Sequence, residues 1–319
     1  MQLLFLLLVL ELLFIVPASA QEIPVSNGED SPNSIKFEMY HPPTPTVTPT
    51  RTPTPTQSQS PVLPTYPPGT PDMAFAALYG RPRGWGTLAR ATTPEKAIEI
   101  TKTYATRVAA IRGGKPTVGL VNLNISSYPK NASARLCVTA HMNRDYIIRL
   151  IQLAKANGMY VMLDVQTGPC NPTTAMQQVI DAFLIADNVF FDIDLEWIEY
   201  QGAGSLSAGT IQEITRYYNT KRVQKGYATQ GYVGFYIFQF HRITNAAQLQ
   251  GDQRGSIIAL FDGWGACAAK AVGTRRMLSL YGKPYAGMEF QTKFGGSYDS
   301  CSAQNYFSLF PDFTMFLAQ

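Results

Sequence analysis

The sequence predicts an α/β domain in which eight strands, alternating with helices, close into a (β/α)8 barrel. Three observations carry that expectation. From about residue 73, short β-branched and aromatic runs alternate with segments of helical period. The alternation continues over roughly 250 residues, the usual size of such a barrel. No phosphate-binding glycine loop follows the first strand: Tyr79-Gly80-Arg81-Pro82 stands where a doubly wound nucleotide-binding sheet carries G-x-G-x-x-G or G-x-x-x-x-G-K.

The strands are read as Phe75–Tyr79, Thr117–Asn122, Tyr160–Val165, Val189–Leu195, Tyr232–Phe238, Ser256–Phe261, Tyr285–Phe290 and Phe313–Leu317. Helix start signals fall in the gaps. Thr93-Pro94-Glu95 is an N-cap with proline at the first helical position, opening a helix to about Ile111, and Asn171-Pro172 repeats the pattern. Asn143 and Ser207 open two more, which Gly158 and Gly226 close; Gly282 closes another, and TNAAQLQ is a short helix between strands five and six. The last strand runs almost to Gln319, so an eighth helix is expected to be absent.

Upstream of the domain the composition changes twice. Residues 1–20 form an apolar run ending Ala18-Ser19-Ala20, small residues of the kind a signal peptidase accepts, so they are read as a cleaved signal peptide leaving no membrane span. Residues 21–72 are read as a disordered linker. Within it, 41–71 carry proline at nearly every second or third position, which removes backbone donors and fixes φ. Such a segment is an extended polyproline II stalk rising about 3 Å per residue. The barrel domain is then 73–319, secreted or held at a cell surface and expected to be a monomer.

The chain has 319 residues, 45% hydrophobic and 15% charged, with a formal charge of +4. The basic residues are dispersed, Arg81 and Arg83 or Arg275 and Arg276 forming pairs instead of a stripe, which excludes a nucleic-acid-binding surface of the usual kind. Four cysteines, Cys137, Cys170, Cys267 and Cys301, match no zinc spacing, and there are three histidines; no metal and no cofactor is assigned. An even count in an oxidising compartment favours disulfides. Cys137 and Cys170 follow strands two and three, and Cys267 and Cys301 follow strands six and seven. Loops after consecutive strands are neighbours at one rim, so these are the expected pairs.

The sharpest chemical feature is strand four, Phe190-Phe191-Asp192-Ile193-Asp194-Leu195-Glu196-Trp197. Side chains alternate faces along a strand, so Phe191, Ile193 and Leu195 turn toward the helices while Asp192, Asp194 and Glu196 turn into the barrel. Carboxyl groups crowded on one inward face raise one another's pKa, which is how an acid keeps a transferable proton near neutral pH. The alternative is an acid ladder neutralised by Arg or Lys from neighbouring strands. Polar residues also gather at the other strand ends: Asn122 and Asn124, Asp164 and Gln166, Gln239, Asp262 and Trp264. Convergence there is what a barrel site requires.

Strand four resembles the D-x-x-D-x-D-x-E signature of chitinase-like family-18 glycoside hydrolases, with Asp192, Asp194 and Glu196 on the pattern and Val189 where the first Asp would stand. The resemblance implies Glu196 as general acid and Asp194 as the group that orients a substrate N-acetyl nucleophile. The family's serine–glycine signature on strand three is replaced by Leu163-Asp164-Val165-Gln166-Thr167-Gly168, and Tyr236 on strand five is the substitute for its tyrosine. A second reading pairs Glu196 with Glu289 on strand seven as acid and nucleophile. Retaining geometry then needs the carboxyls about 5–5.5 Å apart and inverting geometry about 6.5–9.5 Å. The set D-I-D-L-E, F-Q-F-H and D-G-W-G also resembles uncharacterised secreted bacterial barrel proteins. The expectation is a secreted glycoside hydrolase-like protein acting on an extracellular or cell-wall glycan. Asp192, Asp164, Tyr236, Gln239, Asp262, Trp264 and Asn122 would bind substrate. The competing expectation is a non-catalytic glycan-binding barrel.

Overall fold

The computed structural model describes residues 74–113, 116–126, 142–167, 170–195, 205–228, 231–237, 242–249, 255–261, 272, 275–276, 279, 285–290, 292–293, 296–297 and 315–318; for residues 255–256, 261, 285–290, 292–293, 296–297 and 316 it describes the backbone alone. The main elements are β1 (Ala74–Gly80), α1 (Pro94–Ile111), β2 (Thr117–Ser126), α2 (Arg144–Ala156), β3 (Tyr160–Gln166), α3 (Pro172–Phe183), β4 (Val189–Asp194), α4 (Ala208–Gln224), β5 (Gly231–Ile237), β6 (Gly255–Phe261), β7 (Tyr285–Phe290) and β8 (Met315–Ala318). Val272, Arg275, Arg276 and Ser279 also have helical backbone, between β6 and β7.

The helices start where their side chains can satisfy the first free N–H groups. Thr93 accepts from Lys96 N at 3.2 Å, Asn143 from Asp145 N at 2.7 Å, Asn171 from Thr174 N at 3.1 Å and Ser207 from Thr210 N at 3.0 Å. Gly158 and Gly226 sit just past α2 and α4 at φ +64° and +71°, a conformation that costs a residue with a Cβ. Each helix buries a stripe at three- and four-residue spacing, as in Ile147, Leu150, Ile151 and Ala154 of α2.

The sheet curls until it meets itself. In hydrogen-bonding order the strands run β1-β8-β7-β6-β5-β4-β3-β2, all parallel, and β1 pairs with both β2 and β8. This is an α/β barrel of the TIM type. Thr87, in a 3-10 turn after β1, fastens the seam: its hydroxyl donates to Tyr79 O at 2.9 Å and lies 2.8 Å from Ala318 O.

Apart from one-residue shifts at strand ends, the structure differs from the sequence expectation in detail. β2 continues to Ser126, four residues past its expected end at Asn122, with a register irregularity against β3 between Asn124 and Ser126. β8 is shifted to Met315–Ala318 from the expected Phe313–Leu317. Two-residue strands unforeseen in the sequence also pair, Leu206–Ser207 with Ile243–Thr244 and Thr292–Lys293 with Gly296–Ser297.

Strand alternation divides the core in two. Val161, Leu163, Val165, Phe191, Ile193, Leu195, Val233 and Phe235 pack outward against the helices. Phe75, Tyr79, Leu120, Met162, Phe190, Tyr232, Tyr236, Ile258, Leu260, Met315 and Leu317 fill the interior. At the N-terminal end of the interior four rings interlock. Phe75 meets Tyr160, Phe190 and Tyr232 edge-on with centroids 5.4, 5.5 and 5.4 Å away, and Tyr160 stacks on Phe190 at 4.7 Å. This plug is an aromatic floor beneath whatever lies toward the other end.

Candidate functional site

Above the aromatic floor the same strands carry polar side chains. Asp164 of β3 pairs in register with Asp192 of β4, and Gln166 with Asp194 one pleat further on. On the flanks, Asn124 of β2 is in register with Asp164, and Gly234 of β5 with Asp192. The outward set on β4 is Phe191, Ile193 and Leu195, so Asp192 and Asp194 lie on the inner face. Glu196 lies outside the described residues.

The acids are tied into the barrel by amides and phenols. Tyr79 donates its hydroxyl to Asp164 Oδ2 at 2.8 Å, and Asn124 Nδ2 donates to the same oxygen. Asn122 Nδ2 donates to Asp192 Oδ2 at 2.9 Å and to the Tyr236 hydroxyl at 2.7 Å. Gln166 Nε2 donates to Asp194 Oδ2 at 2.8 Å. Tyr79 and Tyr236 stack with centroids 5.2 Å apart, and Trp85 meets Tyr79 edge-on at 4.9 Å. None of the described hydrogen-bond partners of Asp164 or Asp192 is a cation.

Asp164 and Asp192 are 0% exposed and Asp194 is 4% exposed. Burial, reinforced by the charges of Asp192 and Asp194, pushes the Asp164 carboxyl well above the ordinary range, against the pull of the hydrogen bonds from Asn124 and Tyr79. Burial likewise pushes Asp192 up to about 8; the Asp194 charge adds to this, while hydrogen bonds from Asn122 and Tyr236 oppose it. Room for Asp192 is made by Gly234, where an added Cβ would lie 2.8 Å from Asp192 Cβ.

Of the residues singled out in the sequence, the structure gathers Asp164 with Asn124, Asp192 with Asn122 and Tyr236, and Asp194 with Gln166, in three neighbouring buried groups. Glu289 lies in β7, its backbone in register with Leu317 of β8. Gln239, Asp262, Trp264, Cys137, Cys267 and Cys301 lie outside the described residues, and Cys170 is buried two residues before α3. Tyr79 is the member that sequence reasoning missed. Its signal was position: it continues the inward series Phe75, Ala77 and ends a strand, where an interior side chain reaches the polar level. Among the described residues no group of three His, Cys, Asp or Glu side chains is arranged to hold a metal ion.

No protein-family model matches the chain, and no curated protein matches it. Similarity is found among solved structures. One is oxaloacetate acetylhydrolase in complex with oxalate, at 8% identity over 78% of this chain and 75% of that one, TM-score 0.43. Another is a family 18 chitinase from Crocus vernus, at 11% identity over 62% and 81%, TM-score 0.41. A third is a xylanase and α-amylase inhibitor protein from Scadoxus multiflorus, at 13% identity over 76% and 92%, TM-score 0.47. Function has to be argued from the site.

Proposed function

We propose that the domain is a secreted glycoside hydrolase-like enzyme acting on an extracellular glycan, with Glu196 as general acid. The observation that supports this reading is the pair of inward acids Asp192 and Asp194, held by Asn122, Tyr236 and Gln166 near the C-terminal end of β4. A strand that continues this alternation carries its next inward carboxyl, Glu196, one pleat closer to the rim, where substrate reaches a barrel. In this reading residues 1–20 are removed as a signal peptide and 21–72 form the stalk. The barrel occupies 73–319, and Cys137–Cys170 and Cys267–Cys301 are disulfides.

Two mechanisms fit. Asp194 orients an N-acetyl group of the substrate as internal nucleophile, or Glu289 attacks the sugar directly. The purified domain is first screened on polysaccharides and aryl glycosides. Glu196→Gln is then expected to lower turnover at least ~10²-fold, because the amide keeps size and hydrogen bonding but has no proton to transfer. Its melting temperature should match the parent's. Near-parental turnover by Glu196→Gln overturns the assignment. Azide rescue of Glu289→Gly would select the two-glutamate route, and inhibition by a thiazoline analogue the substrate-assisted one.

The complete burial of Asp164 and Asp192, whose hydrogen bonds are spent inside the protein, favours a second reading in which the barrel binds glycan without cleaving it. Retention on a polysaccharide column with no turnover on any substrate would support that reading over the first.

A further inference from the structure

We propose that the loop after β1 is a subsite for an acidic sugar residue, in which the Trp85 ring receives the pyranose and the Arg81 guanidinium pairs with its carboxylate. This rests on the reading of the domain as a barrel that takes a glycan, and it names the class of sugar.

The first ground is the position of Trp85. The segment Arg81-Pro82-Arg83-Gly84-Trp85 leaves the C-terminal end of β1, the rim at which a barrel meets its substrate. Trp85 meets Tyr79 edge-on at 4.9 Å; Tyr79 in turn stacks on Tyr236 at 5.2 Å and donates to Asp164 at 2.8 Å. Tyr79 and Tyr236 are buried, whereas Trp85 is only partly so. Val118 and Tyr160, the other described residues partly buried against the interior cluster, stand at the starts of β2 and β3. Trp85 is therefore the open aromatic ring of this cluster at the mouth, among the described residues. Its flat apolar face and polar indole N–H suit a sugar ring, which has both kinds of surface.

The second ground is the rigidity of the loop. Gly80 and Gly86 form an antiparallel bridge, and one step beyond it Arg81 N donates to Trp85 O at 2.9 Å. Gly84 N donates to Arg81 O at 2.9 Å, and Arg83 N to Ala89 O at 3.0 Å. A Cβ on Gly80 would collide with Trp85 O, and one on Gly86 would lie 2.5 Å from Tyr79 O, so both positions require glycine. A loop fixed in this way has little freedom left to lose when a ligand settles on it.

The third ground is Arg81. Its Cβ, Cγ and Cδ lie along Gly84, where an added Cβ would be 3.3 Å from each. The side chain is half-buried, and burial lowers its pKa from the ordinary value with no described charge to oppose the shift. Among the described residues none forms an ion pair with it. A guanidinium withdrawn from water without a counter-charge is costly, and a carboxylate meets its fork with two parallel hydrogen bonds. Arg81 and Trp85 stand opposite each other beyond the bridge. Paired antiparallel residues have Cα atoms about 4.5–5.5 Å apart, within the span of one pyranose and its carboxyl group.

The test measures binding of the full chain to polygalacturonate, alginate and hyaluronate by calorimetry, each compared with its methyl ester, which keeps the sugar chain and removes the charge. At least one acidic polymer is expected to bind, and esterification to weaken it roughly tenfold or more. Arg81→Gln should lower affinity for the acid to that for the ester, with an unchanged melting temperature. Trp85→Ala should weaken both forms, and Trp85→Phe should recover part of the loss. Arg83→Gln removes the same charge from an exposed position in the same loop and is expected to change affinity by less than about twofold. Equal losses from Arg81→Gln and Arg83→Gln would show diffuse attraction to a positive chain and overturn the subsite. Equal binding of acid and ester by the parent would overturn the acidic class while leaving the glycan reading in place, and it needs no variant to fold. Binding of no glycan in either form would remove both.

Discussion

The lower and upper halves of the barrel interior are built by the same strands, by residues two or four apart, yet they are held together in opposite ways. β4 places Phe190 in the aromatic plug and Asp192 in the polar network; β5 does the same with Tyr232 and Tyr236. In the plug each ring touches several others, and the contacts are non-directional, so the loss of one is spread over its neighbours. In the network each acid depends on particular donors at particular atoms, and removing one donor leaves a buried charge short of a partner. A stack of strands can therefore be held by many non-directional contacts at one end and by a few directed bonds at the other without any change of architecture.

The contrast can be broken from either side. The largest effect is expected from Phe190→Ala, which leaves a void where Phe75, Tyr160 and Tyr232 converge and should cost about 3–5 kcal/mol by denaturant unfolding. Gly234→Ala comes next. Its Cβ would press on Asp192 Cβ, and displacing that strand face should cost about 1–3 kcal/mol and disturb the Asp192 titration. An Asp192 that titrates as before in Gly234→Ala would show that the glycine serves the backbone and not the acid. The smallest effect is expected from Tyr79→Phe, which keeps the ring stack with Tyr236 and removes one donor from Asp164, a loss of about 0.5–1.5 kcal/mol. If Tyr79→Phe proved as costly as Phe190→Ala, the network and the plug would be one cooperative unit.

Much of this arrangement was legible in the sequence, for reasons that can be named. Period two in F-D-I-D-L assigns faces to β4 with no knowledge of the fold, and helix caps such as Thr93 and Asn171 act locally. The extent of β2 past Asn122 was not legible, because Asn124 looks like a strand breaker until it is known that a carboxyl awaits it on the inner face. Tyr79 reads as core, and core it is, but its hydroxyl has a partner 85 positions away. Gly234 carries no chemical signal at all; its purpose depends on which side chain the next strand lays across it. What the sequence withheld was in each case the identity of a neighbour brought in by closure.

Closure also has a cost in time. The seam joins Phe75 to Met315, and Thr87 stitches it from the carbonyl of Tyr79 to that of Ala318. At the usual ~5–20 residues per second of synthesis, roughly 10–50 s separate the emergence of the two strands that must meet. Throughout that interval β1 has an unpaired edge, and so does whichever strand was made last. Open edges of this kind are templates for pairing with other chains. A nascent barrel of this design therefore depends on protection of its first strand until its last one arrives.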